Sequence, residues 1–493
     1  MSQIEQIKTL GDLKASGYQS KSVKDEMRDN LIKKLRSGEP VFTGILGYEH
    51  SVIPQLERAI LSGHNINFLG LRGQAKTKMA RKMIELLDEY IPIVSGSEIN
   101  DDPLHPLSLK SRKLIEEMGD KTPVEWVHRS TRYTEKLATP DVNVADLIGD
   151  IDPIKAANMR LSYADEEVIH FGLIPRSNRG IFVINELPDL QARIQVALFN
   201  ILQESDIQIR GFKLRFPLDV HFVFTANPED YTNRGSIITP LKDRIQSQIF
   251  THYPGSIEIG RQITKQEIRL APPQQKIIVP ELIEKLIEQI AVEARQSEYV
   301  DEKSGVSARL AISAYESVVS SVERRMILND EKTGMARISD LNATIPAIVG
   351  KIEMVYEGEQ EGSVNVALKL ISEAIKALAP DYFKGIERLK TSTGTNPASR
   401  YNEITTWFEE GGEIDLLNDG PVKVYEKELN KVTGLRKVVE LLTEAKGAEA
   451  LLMMEYLLHV LAEHSLLDKR MLQVSYRFQD YFNSVIKGLG NDN

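Results

Sequence analysis

The octapeptide Gly70-Leu71-Arg72-Gly73-Gln74-Ala75-Lys76-Thr77, with Lys78 behind it, carries the clearest chemistry in this chain. It follows the apolar run INFL and opens the helical pattern TKMARKMIELLDEY. A glycine-rich turn between a strand and a helix wraps backbone N–H groups around phosphate, and the helix N-terminus favours the anion's charge. Lys76 is expected to reach the β- and γ-phosphates of a nucleotide, and the Thr77 hydroxyl to ligate Mg²⁺. The pattern calls for glycine where Ala75 stands, which adds a methyl where the backbone must curve closely around the anion.

Two further strands end in polar residues that suit the same chemistry. GIFVI leads into Asn185-Glu186, where the usual ending of a Walker B strand is Asp-Glu. Glu186 is expected to polarise an attacking water. Asn185 is the candidate for the metal shell, but its amide has lost the carboxylate charge, so weaker retention of Mg²⁺ is expected. VHFVFTA leads into Asn227, which can orient the hydrolytic water against the γ-phosphate. Ligands of parallel sheets gather at carboxyl ends of strands, so Lys76, Glu186 and Asn227 are expected to converge. Arg244, in TPLKDRIQ, is a candidate arginine finger acting on a neighbouring subunit's nucleotide. Arg309, in VSAR, is a candidate to reach back to the γ-phosphate.

The elements that must position these residues follow a strand–turn–helix rhythm from about 41 to 255, which indicates a parallel sheet flanked by helices. Residues 1–40 read as polar amphipathic helix, and Pro272-Pro273 breaks the chain. From about 278 apolar residues recur at spacings of three and four, TSTGTNPASR at 391–400 reads as a linker, and PVKVYEKE at 421–428 reads as a short extended piece in a mostly helical tail. The apolar stretch LLMMEYLLHVLAEHSLL is interrupted by Glu455, His459, Glu463 and His464, so a helix packed in a bundle is expected there, not a membrane span.

Composition narrows the options. The 493 residues predict two to four domains, and 42% apolar with 27% charged residues exclude wholesale disorder. A balance of 61 basic and 71 acidic side chains, net −10, gives no global reason to coat nucleic acid or an anionic membrane. The absence of cysteine removes disulfides, thiol nucleophiles and thiolate-bound metals, and the nine histidines form no HExxH pair. The amino terminus lacks the pattern of a signal peptide, so a cytoplasmic location is expected.

In combination, these features resemble the AAA+ ATPases, and within them the helix-2-insert clade of the magnesium chelatase I-subunit and the MoxR ATPases. Ile45-Leu46-Gly47-Tyr48-Glu49 is similar to the box that borders the adenine, which implies Ile45 and Gly47 at the base. Phe171 to Glu186 is similar to the block around the chelatase Walker B strand. The segment at about 150–170 stands where the helix-2 insert belongs, and 207–216 matches the pre-sensor-1 hairpin. The resemblance covers about residues 41–325. It implies an α/β P-loop NTPase core over 41–270, a helical lid over 271–390 and a mostly helical extension over 391–493, behind an N-terminal helical segment at 1–40. It further implies Mg-ATP as cofactor, and a homo-oligomer, as a hexameric ring, that remodels a partner carrying a von Willebrand A domain. The chain itself has no DxSxS metal site of that domain. The alternative is a nucleotide-gated scaffold that binds ATP and hydrolyses it weakly. A sigma-54-type activator is a third reading, but no GAFTGA-like loop or C-terminal helix-turn-helix is visible.

Overall fold

The computed structural model describes residues 6–162, 165–204, 206–207, 216–228, 236–386, 400–471 and 475–480. The chain divides into two compact units, Met1–His252 and Tyr253–Asn493.

The first unit is built on five parallel strands: β1 (Ile66–Leu69), β2 (Tyr133–Leu137), β3 (Gly180–Asn185), β4 (Val220–Ala226) and β5 (Ser247–Phe250). They lie in the order β5-β1-β4-β3-β2. Every residue of β1, β3 and β4 is buried. Near-continuous apolar runs are what a parallel sheet covered on both faces demands. Side-chain alternation sends Ile181 and Val183 of β3 into one core, with Val52, Leu56, Met79 and Met83. Phe182 and Ile184 point into the other, with Ile194, Leu198 and Leu241. The sheet is thus a partition between two apolar layers.

The amino-terminal segment forms two helices, Leu10–Ala15 and Val23–Ser37, the second capped by Ser22. Val23, Met27 and Leu31 join the first core layer. Deep in this unit Arg132 donates two hydrogen bonds to Glu26, at 2.7 and 2.6 Å, and a third to Arg179 O. In the segment of the expected insert, Gly149–Ile151 and Ile169–Phe171 pair antiparallel around the helix Pro153–Met159. Of the expected hairpin, the ends are described: Ile207 pairs with Phe216, and 208–215 lie outside the described residues.

The second unit packs the helices Glu281–Gln296, Arg309–Leu328, Ser363–Tyr382 and Ala448–Glu463 into one core. Ala448–Glu463 is buried continuously from Ala450 to Leu461, which explains its apolar sequence: it is enclosed by helices and by the strands that carry Tyr476 and Phe478. Among the described residues no helix is long and apolar enough to cross a membrane. Ile414–Leu417, Ser475–Asp480 and Leu467–Met471 add a small antiparallel sheet. The extended piece expected at 421–428 is instead part of the helix Val422–Lys431. Val422 and Val424 suggest strand alternation, yet both are largely exposed, while Tyr425 and Leu429, one turn apart, are buried. The period of four therefore won over the period of two.

Candidate functional site

The loop after β1 takes the shape that its glycines permit. Gly73 has φ 75° and Ala75 φ 56°, both in the left-handed region. The alanine thus occupies a conformation that favours glycine, at a cost of about 1–2 kcal/mol. At Gly70 a β-carbon would meet Thr251 Oγ1 at 2.0 Å and Gln74 Oε1 at 2.3 Å, so no side chain fits. Gln74 is held by Thr251, whose hydroxyl donates to its side-chain oxygen at 2.6 Å.

Lys76 opens the helix Lys76–Lys82. Its ammonium is buried and donates to Gly70 O, to Leu71 O at 3.0 Å and to Asn227 Oδ1 at 2.5 Å. Asn227, just past β4, in turn donates to Glu186 Oε2 at 2.7 Å. Glu186 follows β3 at φ 56°, with its N–H on Thr225 Oγ1 at 3.2 Å. Thr77 donates to Asn185 Oδ1 at 3.2 Å. Lys76, Thr77, Asn185, Glu186 and Asn227 therefore form one hydrogen-bonded set across the carboxyl ends of β1, β3 and β4. Gly73 and Arg72 are exposed beside it, and Thr77 and Lys78 half-buried.

The box at 45–49 lies in the same unit. Ile45 is in the core, Gly47 has φ 81°, and the Tyr48 hydroxyl donates to Gln74 O at 3.0 Å, tying the box to the loop after β1. A cavity of about 550 Å³ is lined by Val41, Phe42, Gly44 and Ile45, with Glu49 and Glu57 at its polar margin. Its apolar wall suits a flat heterocycle.

Arg244 ends the helix Thr239–Arg244 and stands apart from the set, paired with Asp243 and 5.4 Å from the Phe199 ring centroid. Arg309 begins the helix Arg309–Leu328 of the second unit.

One member of the site escaped sequence reasoning. Glu135, on β2, accepts the Asn185 amide at 2.7 Å, Arg81 at 2.9 and 3.0 Å, and the Tyr133 hydroxyl at 3.0 Å. Burial pushes this carboxyl up, but the hydrogen bonds from Arg81, Tyr133 and Asn185 outweigh it and hold Glu135 below its ordinary range. No local motif marks Glu135, because Arg81 and Asn185 lie 54 and 50 residues away.

The oxygens of Thr77 and Asn185 are of the kind that Mg²⁺ takes, and such ions are bound by few protein groups together with substrate phosphates. Among the described residues no cluster of three or more His, Asp or Glu could hold a metal. The donor set therefore fits an ion that arrives with a nucleotide.

No family model matches the chain. It is 25% identical over 221 residues to the magnesium-chelatase 38 kDa subunit of Cereibacter sphaeroides, a match covering 44% of this chain and 60% of that relative. Solved structures to which it is similar include the complex of the magnesium chelatase subunits BchI and BchD, at 18% identity and TM-score 0.34, covering 65% of this chain and 98% of that one. Another is NtrX from Brucella abortus in complex with ATP, at 12% identity and TM-score 0.35, covering 72% and 68%. The central parallel sheet with its flanking helices, and a glycine-containing loop leading from β1 into a helix, agree with the α/β class expected from the sequence.

Proposed function

We propose that this chain binds Mg·ATP and hydrolyses it as a chelatase- or MoxR-like AAA+ protein. The observation that carries this reading is the hydrogen-bonded set of Lys76, Thr77, Asn185, Glu186 and Asn227 at the strand ends. In this reading Lys76 exchanges its loop carbonyls for the β- and γ-phosphate oxygens. The loop from Gly70 to Lys78 wraps the phosphates, and Ile45 and Gly47 border the base. Bound Mg²⁺ would supply charge neutralisation at the phosphates, held on this chain's side by Thr77 and Asn185. Glu186 takes the proton of the attacking water, and Asn227 fixes that carboxylate and the Lys76 ammonium in one line.

Arg244 lies outside this set, which suits a group offered to a neighbouring copy in a ring, with six subunits as the expected number. Arg309 serves as a second sensor of the γ-phosphate. The work done is the remodelling of a partner protein, with a von Willebrand A domain as the expected feature of that partner. Asn185 favours a second reading, a scaffold gated by ATP binding with little turnover.

Steady-state hydrolysis and ATP-analogue binding, measured on the wild type and on Glu186→Gln, decide between them. The motor reading expects wild-type turnover that Glu186→Gln abolishes while binding persists. Binding without turnover in the wild type selects the scaffold, and no binding at all removes both.

A further inference from the structure

The amide of Asn185 is orientated by its neighbours. Its oxygen accepts two hydroxyls, Thr77 Oγ1 at 3.2 Å and Thr225 Oγ1 at 3.0 Å, and its nitrogen donates to Glu135 Oε1 at 2.7 Å. Turned over, the amide oxygen would face a carboxylate oxygen and lose that hydrogen bond. The arrangement follows from strand register. Leu137 of β2 stands opposite Asn185, so Glu135, two residues earlier, lies on the same face and reaches across the diagonal. An aspartate at 185 would have brought its charge and accepted the same hydroxyls. In this chain the oxygen is on β3 and the charge is on β2.

We propose that Glu135 supplies from the neighbouring strand the carboxylate charge that position 185 lacks, fixing the Asn185 oxygen toward Thr77 and strengthening the site's hold on a divalent cation bound with nucleotide. This rests on the Mg·ATP reading above. Glu135 is a positioning residue that acts through Asn185. Arg81 pairs with the same carboxylate, but its side chain is 62% exposed and water screens its charge, whereas the side chain of Glu135 is 22% exposed and Asn185 is buried.

The test is the affinity for a non-hydrolysable ATP analogue, measured by calorimetry in Mg²⁺ and again in EDTA. The ratio of the two affinities reads the coupling between metal and nucleotide, independent of hydrolysis. Glu135→Gln should reduce that ratio on the order of tenfold or more, as loss of a group orienting a metal ligand does, while the affinity in EDTA is retained. Asn185→Asp alone sets two carboxylates against each other and should melt at a lower temperature than Glu135→Gln/Asn185→Asp. The double variant returns the charge to β3 and should recover the wild-type ratio. Arg81→Gln removes the ion pair but keeps the carboxylate, and should keep the ratio.

A Glu135→Gln ratio equal to that of the wild type overturns the inference and leaves the ATP site standing. So does a loss that Arg81→Gln reproduces, since Glu135 would then serve only the ion pair. If Glu135→Gln fails to fold, a double variant whose ratio stays below the wild-type value overturns it equally. A wild type that binds no nucleotide overturns the ATP site itself, and the inference with it.

Discussion

Both units bury ionised or hydrogen-bonding side chains, but in different settings. In the second unit Glu455 is fully buried in the middle of an apolar helix, where it accepts the N–H groups of Ile338 and Ser339 and the Tyr425 hydroxyl. Asp340 nearby accepts Arg325 at 2.6 Å, Ser321 at 2.8 Å and the N–H of Arg337 at 2.7 Å. These carboxylates pin the start of the 3₁₀ turn Ile338–Thr344 to the helices around it. In the first unit the polar set lies at strand ends, beside exposed Arg72 and Gly73 and half-buried Thr77 and Glu186. Its partners are loop carbonyls and other side chains that a phosphate could replace. The lesson is that burial alone does not mark a site. A buried charge sealed among apolar residues serves the fold, and one at an open rim is available to a ligand.

Four substitutions probe that contrast, the strongest first. Lys76→Ala should abolish binding of an ATP analogue in a calorimetric titration while the far-ultraviolet spectrum is preserved. Unchanged affinity would erase the distinction between the two settings. Glu455→Ala leaves the buried N–H groups of Ile338 and Ser339 without their acceptor and the Tyr425 hydroxyl with only Leu451 O, and should cost about 3–5 kcal/mol in denaturant unfolding, with nucleotide affinity retained in the folded protein. A loss below about 1 kcal/mol would mean that this network contributes little to the fold.

Ala75→Gly relieves the left-handed alanine and gives some of that back through the freer unfolded chain, so a net gain of about 0.5–1 kcal/mol is expected. A lower melting temperature would contradict the strain seen at this residue. The smallest effect concerns Asp219, whose carboxyl is pushed up to about 6, chiefly by burial. Its proton is held more tightly folded than unfolded, so its contribution to stability is complete below the ordinary value of 3.8 and lost as pH rises through about 6. Asp219→Asn should flatten the melting curve against pH across that window and raise the melting temperature at pH 7. An unaltered pH dependence would show that Asp219 is solvated as an ordinary carboxylate.

The loop after β1, the strand ending at Asn185-Glu186 and the strand before Asn227 could all be read from the chain because each is contiguous. A run of buried residues, a turn demanding left-handed φ and a helix start leave their marks within ten residues. The antiparallel ends of the hairpin at 207 and 216 were legible for the same reason. The helix at Val422–Lys431 was not, because the alternation Val422-Lys423-Val424 fits a strand as well as it fits one turn of helix. What chose between them was the buried packing of Tyr425 and Leu429, which the local sequence does not contain.

The sequence by itself determined the chemical parts: a lysine and a threonine at a helix start, a glutamate and an asparagine at strand ends, and an amide where a carboxylate was expected. Only the tertiary structure decided how that amide is turned and which charge stands beside it. Asn185 and Glu135 are 50 residues apart and meet through the parallel register of β2 and β3, and Arg81 joins them from a helix laid across the same face. That register is a pairing of whole strands, Tyr133 to Leu137 against Ile181 to Asn185, between segments far apart in the chain, and so no short motif could record it.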